Sequence, residues 1–271
     1  MNSKRIALGF LGLSPTPVAG IAKGLAADGV DRLILLTTED GLSEYRVQTL
    51  EDWIKTNTTI SIVDTHRISS GVKVNPSSMA SDIAQRLAEG VTDVFFGPGT
   101  MEMNALLAIA SRSDNLTELT QWYRLDFGVN QNRSLGSHLF DISNPENQIE
   151  TTLSLDEVLS INGLAAKELS KGKIRINSLN EHRESLPFDC NEIVLGREER
   201  LVIIWKYNKK DKRAKGFRVR VMNQLPRIES QISEHGYQLK VSVLKKWEGQ
   251  DQGRSLKARF QQYGITVSWN L

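Results

Sequence analysis

The first part of the chain alternates between short, continuous apolar runs and longer segments whose apolar residues recur at helical spacing. Four runs have the continuity of strands that are buried on both faces of a parallel sheet: Arg5–Leu13, Asp31–Thr38, Thr59–Asp64 and Val91–Phe96. Four other segments have the period of amphipathic helices: Val18–Ala27, Ser43–Thr56, Asn75–Glu89 and Glu102–Ser111. This alternation predicts an α/β domain with a Rossmann-like, doubly wound parallel sheet.

Beyond residue 112 the alternation is less regular and the predicted elements are shorter. Edge strands are predicted at Trp122–Arg124 and His138–Asp141, and a helix over Leu153–Leu169, with an interruption at Gly163 as the alternative. The remaining sequence predicts a small α/β domain. Its predicted strands and helices are Glu192–Leu195, Leu201–Tyr207, Asn223–His235, Tyr237–Leu244, Arg254–Tyr263 and Ile265–Trp269. We therefore divide the chain into a sheet domain at 1–150, a linker helix at 151–175 and a smaller domain at 176–271.

Charge is distributed unevenly between these parts. The 34 Lys/Arg and 32 Asp/Glu of the chain give a net charge of only +2. Residues 1–150 carry 12 Lys/Arg against 18 Asp/Glu, a net charge of −6, and residues 151–271 carry 22 against 14, a net charge of +8. An acidic first part and a basic second part indicate two units with different functions, and a polyanion is a candidate partner for the second.

The cysteine and hydropathy patterns exclude several classes of protein. The single cysteine, Cys190, cannot form an intrachain disulfide, and a zinc site built from cysteines is excluded. No apolar run reaches the ~20 residues that a membrane-spanning helix needs, and no signal-peptide pattern is found. We expect a cytoplasmic protein that has no membrane partner.

Small and hydroxyl-bearing residues follow three of the predicted strands. They are Ser14 and Thr16 after the first, Thr38 after the second, and Gly97, Gly99 and Thr100 after the fourth. Ligands of open parallel sheets bind beyond the carboxyl ends of the strands, and N–H groups at a glycine-rich helix start favour anions. The pattern predicts a nucleotide site, with ordinary turn residues as the alternative. The GxGxxG, Walker A and GxSxG motifs are not found in the sequence.

Three of these segments resemble the CRISPR-associated Rossmann-fold (CARF) sensor domains: FLGLSPTP, LLTTED and GPGTMEMNALLAIA. Within that family, LSLDEVLSINGL resembles the linker helix of the subgroup with a C-terminal PD-(D/E)xK-like nuclease domain, and ARFQQYGITVSW resembles the end of that domain. The resemblance spans most of the chain. It implies a homodimer that binds a cyclic oligoadenylate across its paired CARF domains in type III CRISPR immunity.

Carried over by position, the resemblance assigns ligand binding to eight residues. They are Leu13, Ser14, Pro15, Thr16, Thr38, Gly97, Gly99 and Thr100. The chain departs from the family at Met101, a position where the helix start commonly carries a lysine. The contribution of that lysine to ligand binding, or to self-cleavage of the ligand, therefore does not carry over.

The PD-(D/E)xK design needs an acidic residue on one strand and an acid-x-Lys sequence on the next, because carboxylates hold a divalent metal and the lysine helps to activate water. Glu192 or Asp189 fits the first acid and Lys206 fits the lysine, but Ile204 occupies the second acidic position. The domain therefore resembles a degenerate nuclease whose candidate catalytic residues are Glu192 and Lys206. Mg²⁺ or Mn²⁺ would be its cofactor only if it cleaves, and we expect no other metal or cofactor.

A strongly basic segment follows Lys206. It contains Lys209, Lys210, Lys212, Arg213, Lys215, Arg218 and Arg220, with Asp211 as its only acidic residue. Clusters of Lys and Arg attract phosphate backbones, and the neighbouring aromatic residues Tyr207 and Phe217 can stack on single-stranded bases. The segment predicts contact with RNA or DNA, and a solvated loop is the alternative.

Together these observations predict a CRISPR type III accessory sensor. A dimeric CARF domain would bind the cyclic oligoadenylate and signal to a basic C-terminal domain that contacts nucleic acid. Two catalytic alternatives stay open: a metal-dependent RNase or DNase that the cyclic ligand activates, and a ring nuclease that degrades the ligand, with Ser14 or Thr16 positioning it. A nucleotide-binding regulator unrelated to CRISPR is a more distant alternative.

Overall fold

The computed structural model describes residues 4–39, 41–68, 76–112, 121–129, 135–142, 144, 146–169, 172–179, 187–196, 201–208, 211, 213–232 and 237–270. The chain divides into two compact units, an N-terminal unit of Met1–Ser154 and a C-terminal unit of Leu155–Leu271. Among the helices within the described ranges, none combines the length and the apolar character needed to cross a membrane.

The N-terminal unit is built on a seven-stranded sheet with the order β3-β2-β1-β4-β5-β6-β7. Its strands are β1 (Ile6–Phe10), β2 (Arg32–Thr38), β3 (Ile62–Ile68), β4 (Asp93–Phe96), β5 (Gln121–Val129), β6 (Leu135–Asp141) and β7 (Gln148–Glu150). Its helices are α1 (Pro15–Ala27), α2 (Glu44–Asn57), α3 (Pro76–Leu87) and α4 (Met101–Ala110). Strands β1 to β5 run parallel, whereas β6 and β7 are antiparallel additions at one edge.

Helices cover both faces of this sheet, which is why its inner strands are apolar without alternation. Helix α1 packs beside α2, and α3 packs beside α4. Leu8, Ile34 and Val94 of the central strands form one core cluster with Ile83 of α3 and Leu107 of α4. The predicted doubly wound fold class is confirmed for this unit.

Arg5, directly before β1, holds the amino-terminal edge of the sheet together. Its guanidinium lies 2.6 Å from the Asp93 carboxylate and 3.0 Å from the Asp28 carboxylate. It also donates hydrogen bonds to Tyr123 Oη at 3.0 Å and to the side chain of Gln121. Asp93 is fully buried, and burial together with a hydrogen bond to Asp28 raises the pKa of the Tyr123 hydroxyl. One cation thereby links α1, β4 and β5.

The C-terminal unit begins with helix α5 (Leu155–Ile161) and contains two sheets. An antiparallel sheet has the order β10-β9-β8, and a second sheet has the order β11-β12-β13-β14. The strands are β8 (Leu164–Leu169), β9 (Lys173–Ser178), β10 (Phe188–Cys190), β11 (Glu192–Leu195), β12 (Leu201–Lys206), β13 (Tyr237–Ser242) and β14 (Ile265–Ser268). The helices are α6 (Ala214–Met222), α7 (Leu225–Ile232) and α8 (Asp251–Gln261). Strands β12, β13 and β14 are parallel, and β11 pairs antiparallel with β12.

The helix predicted over Leu153–Leu169, and with it the linker helix at 151–175, is wrong in its second half. The helix ends at Ile161, Gly163 adopts a φ of +66°, and Leu164–Leu169 is strand β8, paired with β9. A glycine with positive φ is a common end of a helix. The sequence LAAKEL is rich in helix formers, so pairing with a strand further along the chain overrides its local preference.

Candidate functional site

Strands β1 and β4 mark the point where the strand order of the N-terminal sheet reverses. The chain proceeds from β1 to β2 and β3 on one side, then returns to β4 and β5 on the other. The β1–α1 loop (residues 11–14) and the β4–α4 loop (residues 97–100) therefore leave neighbouring strands at this switch point. Open α/β sheets bind their ligands in the crevice at such a point.

The two loops lie in backbone contact. A Cβ atom on Gly12 would lie 2.8 Å from the backbone nitrogen of Gly99, closer than real Cβ contacts allow. Gly99 has a φ of +93°, and a Cβ there would lie 3.1 Å from the Cβ of Phe10. Glycine is therefore required at both positions. The resemblance assigned Gly99 to ligand binding, and the structure gives it the further role of joining the loops.

Helices α1 and α4 begin directly after these loops. Thr100 caps α4, because its Oγ1 accepts a hydrogen bond from the Met103 N–H at 3.3 Å. Ser14 occupies the cap position of α1, where its side chain makes no capping hydrogen bond, and the first turn of α1 carries no acidic residue. Helix starts attract anions through free N–H groups and the helix dipole, but Pro15 and Pro17 have no N–H in the first turn of α1, and Glu102 lies in the first turn of α4. The two loops themselves are therefore the candidate contacts for phosphate groups.

The predicted ligand residues divide into exposed and buried ones. Five are exposed at the two loops: Leu13, Ser14, Gly97, Gly99 and Thr100. Pro15 and Thr16 are buried in the first turn of α1. Thr38 is half-buried at the end of β2, the strand on the other side of β1. The structure therefore brings the β1 and β4 loops together and leaves Thr38 at the end of a neighbouring strand.

Asn104 supports the β4–α4 loop and was not predicted. Its Nδ2 donates hydrogen bonds to the carbonyl oxygens of Pro98 at 3.1 Å and Thr100 at 2.9 Å. Its Oδ1 accepts a hydrogen bond from the Gly97 N–H at 3.3 Å. Three hydrogen bonds thus hold the loop that meets Gly12. An asparagine inside a helical pattern does not reveal which loop it supports, so no signal in the sequence identifies this residue.

Several paired acidic residues of the N-terminal unit lie at the opposite edge of the sheet, whereas Glu44 and Glu102 lie in the first turns of α2 and α4, at the same edge as the loops. Those at the opposite edge include the carboxylates around Arg5, and Asp64 and Glu89, which lie 2.8 and 3.0 Å from the guanidinium of Arg32. Strand β1 spans five residues, so roughly 17 Å separate the two edges. That is about twice the ~8 Å Debye length at physiological ionic strength. The carboxylates at that edge are therefore largely screened from the two loops.

In the C-terminal unit, Glu192 and Lys206 lie on the paired strands β11 and β12 and contact each other. Lys206 Nζ lies 2.7 Å from Glu192 Oε2, and Ile204 lies directly across from Glu192 in the strand register. The structure thus brings the two candidate catalytic residues together as an ion pair. An apolar side chain lies where a second carboxylate would be needed.

Asp189, the other candidate acid, pairs with Arg175 on β9. Arg175 Nε lies 2.9 Å from Asp189 Oδ1, and this hydrogen bond raises the pKa of the guanidinium. Within the described residues, no three His, Cys, Asp or Glu side chains converge as metal ligands. Mg²⁺ and Mn²⁺ need several oxygen ligands, and the candidate carboxylates are neutralised by cations. These residues do not fit a divalent metal, so we derive no metal-dependent step.

Cys190 on β10 is buried, and we expect its thiol to be unreactive. Burial, followed by the negative charge of Asp189, raises the pKa of the thiol to about 12. Because the thiolate is the reactive form, Ellman's reagent at about pH 8 should leave the folded protein unlabelled and label one thiol after denaturation. Rapid labelling of the folded protein would contradict this expectation.

The predicted nucleic-acid residues have different positions. Lys209, Lys210 and Lys212 lie outside the described residues. Arg220 is held by Asp211, whose Oδ1 lies 2.8 Å from its Nε. Arg213 and Lys215 are exposed at the start of α6, and Arg218 is half-buried one turn later.

Phe217 does not lie on this surface. It is fully buried, with its ring centroid 6.0 Å from that of Phe260 on α8 and 5.8 Å from that of Tyr207. The prediction that Phe217 is available for base stacking is therefore wrong, because its ring belongs to the core between the helices. Tyr207 is half-buried.

Comparison with known proteins adds two solved structures. One is Can2 from Sulfobacillus thermosulfidooxidans in complex with cyclic tetra-adenylate, at 9% sequence identity and a TM-score of 0.59, covering 97% of this chain and 95% of that chain. The other is a type III CRISPR defence DNA nuclease activated by cyclic oligoadenylate, at 12% identity and a TM-score of 0.56. That match covers 98% of this chain and 42% of that chain, so the chain spans less than half of the nuclease.

No protein-family model and no curated protein sequence matches the chain. At these identities the two structures establish the fold and nothing finer. The protein has a Rossmann-like α/β domain followed by a second α/β domain, the fold that it shares with Can2 and the CRISPR defence nuclease.

Proposed function

We propose that the N-terminal unit binds a cyclic oligoadenylate where the β1–α1 and β4–α4 loops meet, and that binding signals to the C-terminal unit. The observation that carries the proposal is the backbone contact between Gly12 and Gly99, because it places two helix starts side by side at the switch point. Backbone N–H groups and hydroxyls bind phosphates without a basic surface. An acidic unit is therefore compatible with this ligand.

The shared fold supports this choice of ligand. Can2 is in complex with cyclic tetra-adenylate, and the type III CRISPR nuclease is activated by cyclic oligoadenylate. The first of these matches extends over nearly the whole of both chains. We accordingly place the protein among type III CRISPR accessory sensors.

A second copy of the chain is the partner that we propose for helix α4. Met101 is 88% exposed, Ile109 is 71% exposed, and Ala105 between them is also exposed. Residues four apart share one face of a helix, so these side chains form an apolar stripe about 12 Å long. Leu13, 76% exposed on the adjoining loop, extends the stripe. Apolar surface rimmed by polar residues is typical of an interface, and here it adjoins the ligand loops.

Introducing charge into this stripe is expected to separate the copies. Met101→Glu with Ile109→Glu would bury two carboxylates without partners, which should weaken the dimer by about 100-fold or more. Analytical ultracentrifugation over a range of protein concentrations measures the change. The matched control is Ile142→Glu with Leu179→Glu, at exposed apolar residues outside α4. Equal dissociation constants for the two variants would contradict pairing through α4.

In the C-terminal unit we propose binding of nucleic acid rather than cleavage. The ion pair of Glu192 with Lys206 and the isoleucine at position 204 support this choice, because within the described part of the unit they leave no carboxylate cluster for a metal. Incubation of labelled RNA and DNA with Mg²⁺ or Mn²⁺, with and without the cyclic ligand, tests it. If the native protein cleaves either strand, and Glu192→Ala and Lys206→Ala each abolish that cleavage, the nuclease alternative is established instead.

Isothermal titration calorimetry tests the proposal as a whole. Cyclic tetra-adenylate or cyclic hexa-adenylate should release or absorb heat with saturable stoichiometry, and linear tetra-adenylate should bind more weakly. An absence of binding to both rings would overturn the proposed function. Chromatography of the ligand after incubation separates the ring-nuclease alternative, because only that activity yields linear products.

A further inference from the structure

A cavity of about 490 Å³ opens in the C-terminal unit, and its lining does not include Glu192, Lys206 or Asp189. It lies at the carboxyl ends of the parallel strands β12 and β13, which the Tyr207 N–H joins by a hydrogen bond to the Ser242 carbonyl oxygen at 2.9 Å. Its walls come from the start of α6, the start of α8 and the segment after β13. They are Tyr207, Arg213, Ala214, Lys215, Leu244, Lys246, Trp247 and Gln252. Its volume is within the usual range of small-ligand sites.

Three of the lining side chains are cations without a carboxylate partner. Arg213, Lys215 and Lys246 are exposed, and no ion pair to any of them is found in the part of the chain that the structure describes. Two nearby cations outside the cavity are neutralised: Lys206 by Glu192 and Arg220 by Asp211. Asp211 is the only acidic residue of the basic segment. Its pairing with Arg220 leaves Arg213 and Lys215 without an ion pair among the described residues of this segment.

The walls are held in place by two close backbone approaches. A side chain at Gly216 in α6 would collide with the Asp211 carbonyl oxygen, and one at Gly253 in α8 would collide with the Trp247 carbonyl oxygen. The Tyr207 ring packs edge-on against the ring of buried Trp247, with centroids 4.7 Å apart. These contacts hold the walls in place, and both aromatic residues line the cavity, with Tyr207 the more exposed of the two.

Positive charge continues beyond the cavity. Arg218 lies three residues after Lys215 on α6 and so shares its helix face, and Lys245 precedes Lys246 after β13. Neither forms an ion pair within the described ranges. A free nucleotide would contact the cavity alone, whereas a single strand of nucleic acid would also contact these flanking cations. The distribution of charge therefore favours a nucleic-acid strand over a free nucleotide as the ligand.

We propose that this cavity binds a phosphate of single-stranded nucleic acid, with the adjoining nucleoside against Tyr207 and Trp247. The proposal specifies the nucleic-acid contact of the proposed function and rests on it. It adds Lys246, Trp247 and Gln252, which lie outside the basic segment, and it keeps Tyr207, which is already predicted from the sequence as available for base stacking. Cations beside aromatic side chains match the phosphate and the base of one nucleotide.

The test uses the full-length chain and fluorescein-labelled single strands of about 15 nucleotides, one of DNA and one of RNA. The cavity variant combines Arg213→Gln, Lys215→Gln and Lys246→Gln. The control combines Lys167→Gln, Lys173→Gln and Lys257→Gln, which remove the same charge from exposed positions of the same unit outside the cavity. All six substitutions are at exposed side chains, and thermal melting confirms that both variants are folded.

Fluorescence anisotropy should show that the cavity variant binds the better strand about 100-fold more weakly at about 50 mM salt, and the control no more than about 3-fold more weakly. The plot of log affinity against log salt should become shallower by about 2, the value for three lost contacts with a single strand. Equal losses in the two variants, or no binding of either strand by the native protein, would overturn the proposal. If adenosine monophosphate displaces the labelled strand as effectively as the unlabelled strand does, the proposal is also overturned, because the cavity would then be a site for a free nucleotide.

Calorimetry with cyclic tetra-adenylate on the cavity variant separates this inference from ligand sensing. Unchanged affinity for the ring, with loss of strand binding, supports the cavity as a separate site. If the cavity variant also loses binding of cyclic tetra-adenylate, the proposal is overturned, because the cavity would then take part in binding the cyclic ligand.

Discussion

Arg5→Met is expected to lower the free energy of unfolding of the N-terminal unit by about 3–5 kcal/mol. The substitution keeps the apolar stem of the side chain and removes the guanidinium that lies 2.6 Å from Asp93. Asp93 is completely buried, so its carboxylate would lose its cation without gaining water. Urea denaturation measures the loss, with hydrogen exchange of the β1 and β4 peptides assigning the transition to this unit.

Arg32→Met is the matched control for this prediction. The exposure of the Arg32 side chain, 26%, is close to the 25% of Arg5, and both arginines lie at the amino-terminal edge of the sheet. Its partners Asp64 and Glu89 stay in contact with water, so we expect a loss of about 1 kcal/mol or less. Similar losses in the two variants would contradict the assignment to a buried charge. If Asp93→Asn, added to Arg5→Met, restores part of the lost free energy of unfolding, the assignment to a buried charge is supported, because the amide carries no charge.

Gly12→Val is expected to weaken binding of cyclic tetra-adenylate by about 100-fold. A side chain at this position would displace the backbone of Gly99, so the β1 and β4 loops would separate. A loss of about two hydrogen bonds to charged phosphate oxygens, at about 1.5 kcal/mol each, gives a change of this size. Calorimetry on the folded variant measures the affinity.

Gly29→Ala provides the control for general destabilisation. Gly29 follows α1 with a φ of +86° and has open space around it, so an alanine there strains the backbone without contacting the loops. We expect a lower melting temperature and an unchanged affinity for the ring. A Gly12 variant that binds the ring normally would show that the contact between the loops is dispensable for the ligand.

The sequence predicts the central sheet of the N-terminal unit well because strands such as β1 and β2 are continuous apolar runs, a signal that is local. Strand β8 was predicted as helix because its residues favour helix and its partner β9 could not be identified from the sequence. The candidate ligand loops were predicted from their glycines and hydroxyls, and their binding of a ligand stays a prediction. Gly12 and Asn104 were missed because their roles depend on which backbone lies against them.

The C-terminal cavity could not be predicted from the sequence for the same reason. Arg213 and Lys246 are separated by more than thirty residues, and only the parallel pairing of β12 with β13 brings their segments together. A basic segment alone gave no sign of which of its cations are neutralised. The pairing of Arg220 with Asp211, and of Lys206 with Glu192, distinguishes the cations that stay available.

Helix α4 carries two proposed functions on only ten residues. Its first turn and Asn104 hold the ligand loop, and its exposed face carries Met101 and Ile109. Ligand binding and self-association are then thermodynamically linked, and linkage is reciprocal: a ring that tightens the dimer by some factor must bind the dimer more tightly than the monomer by a corresponding factor. The apparent affinity for the cyclic ligand should therefore rise with protein concentration, so that the abundance of the sensor sets its threshold.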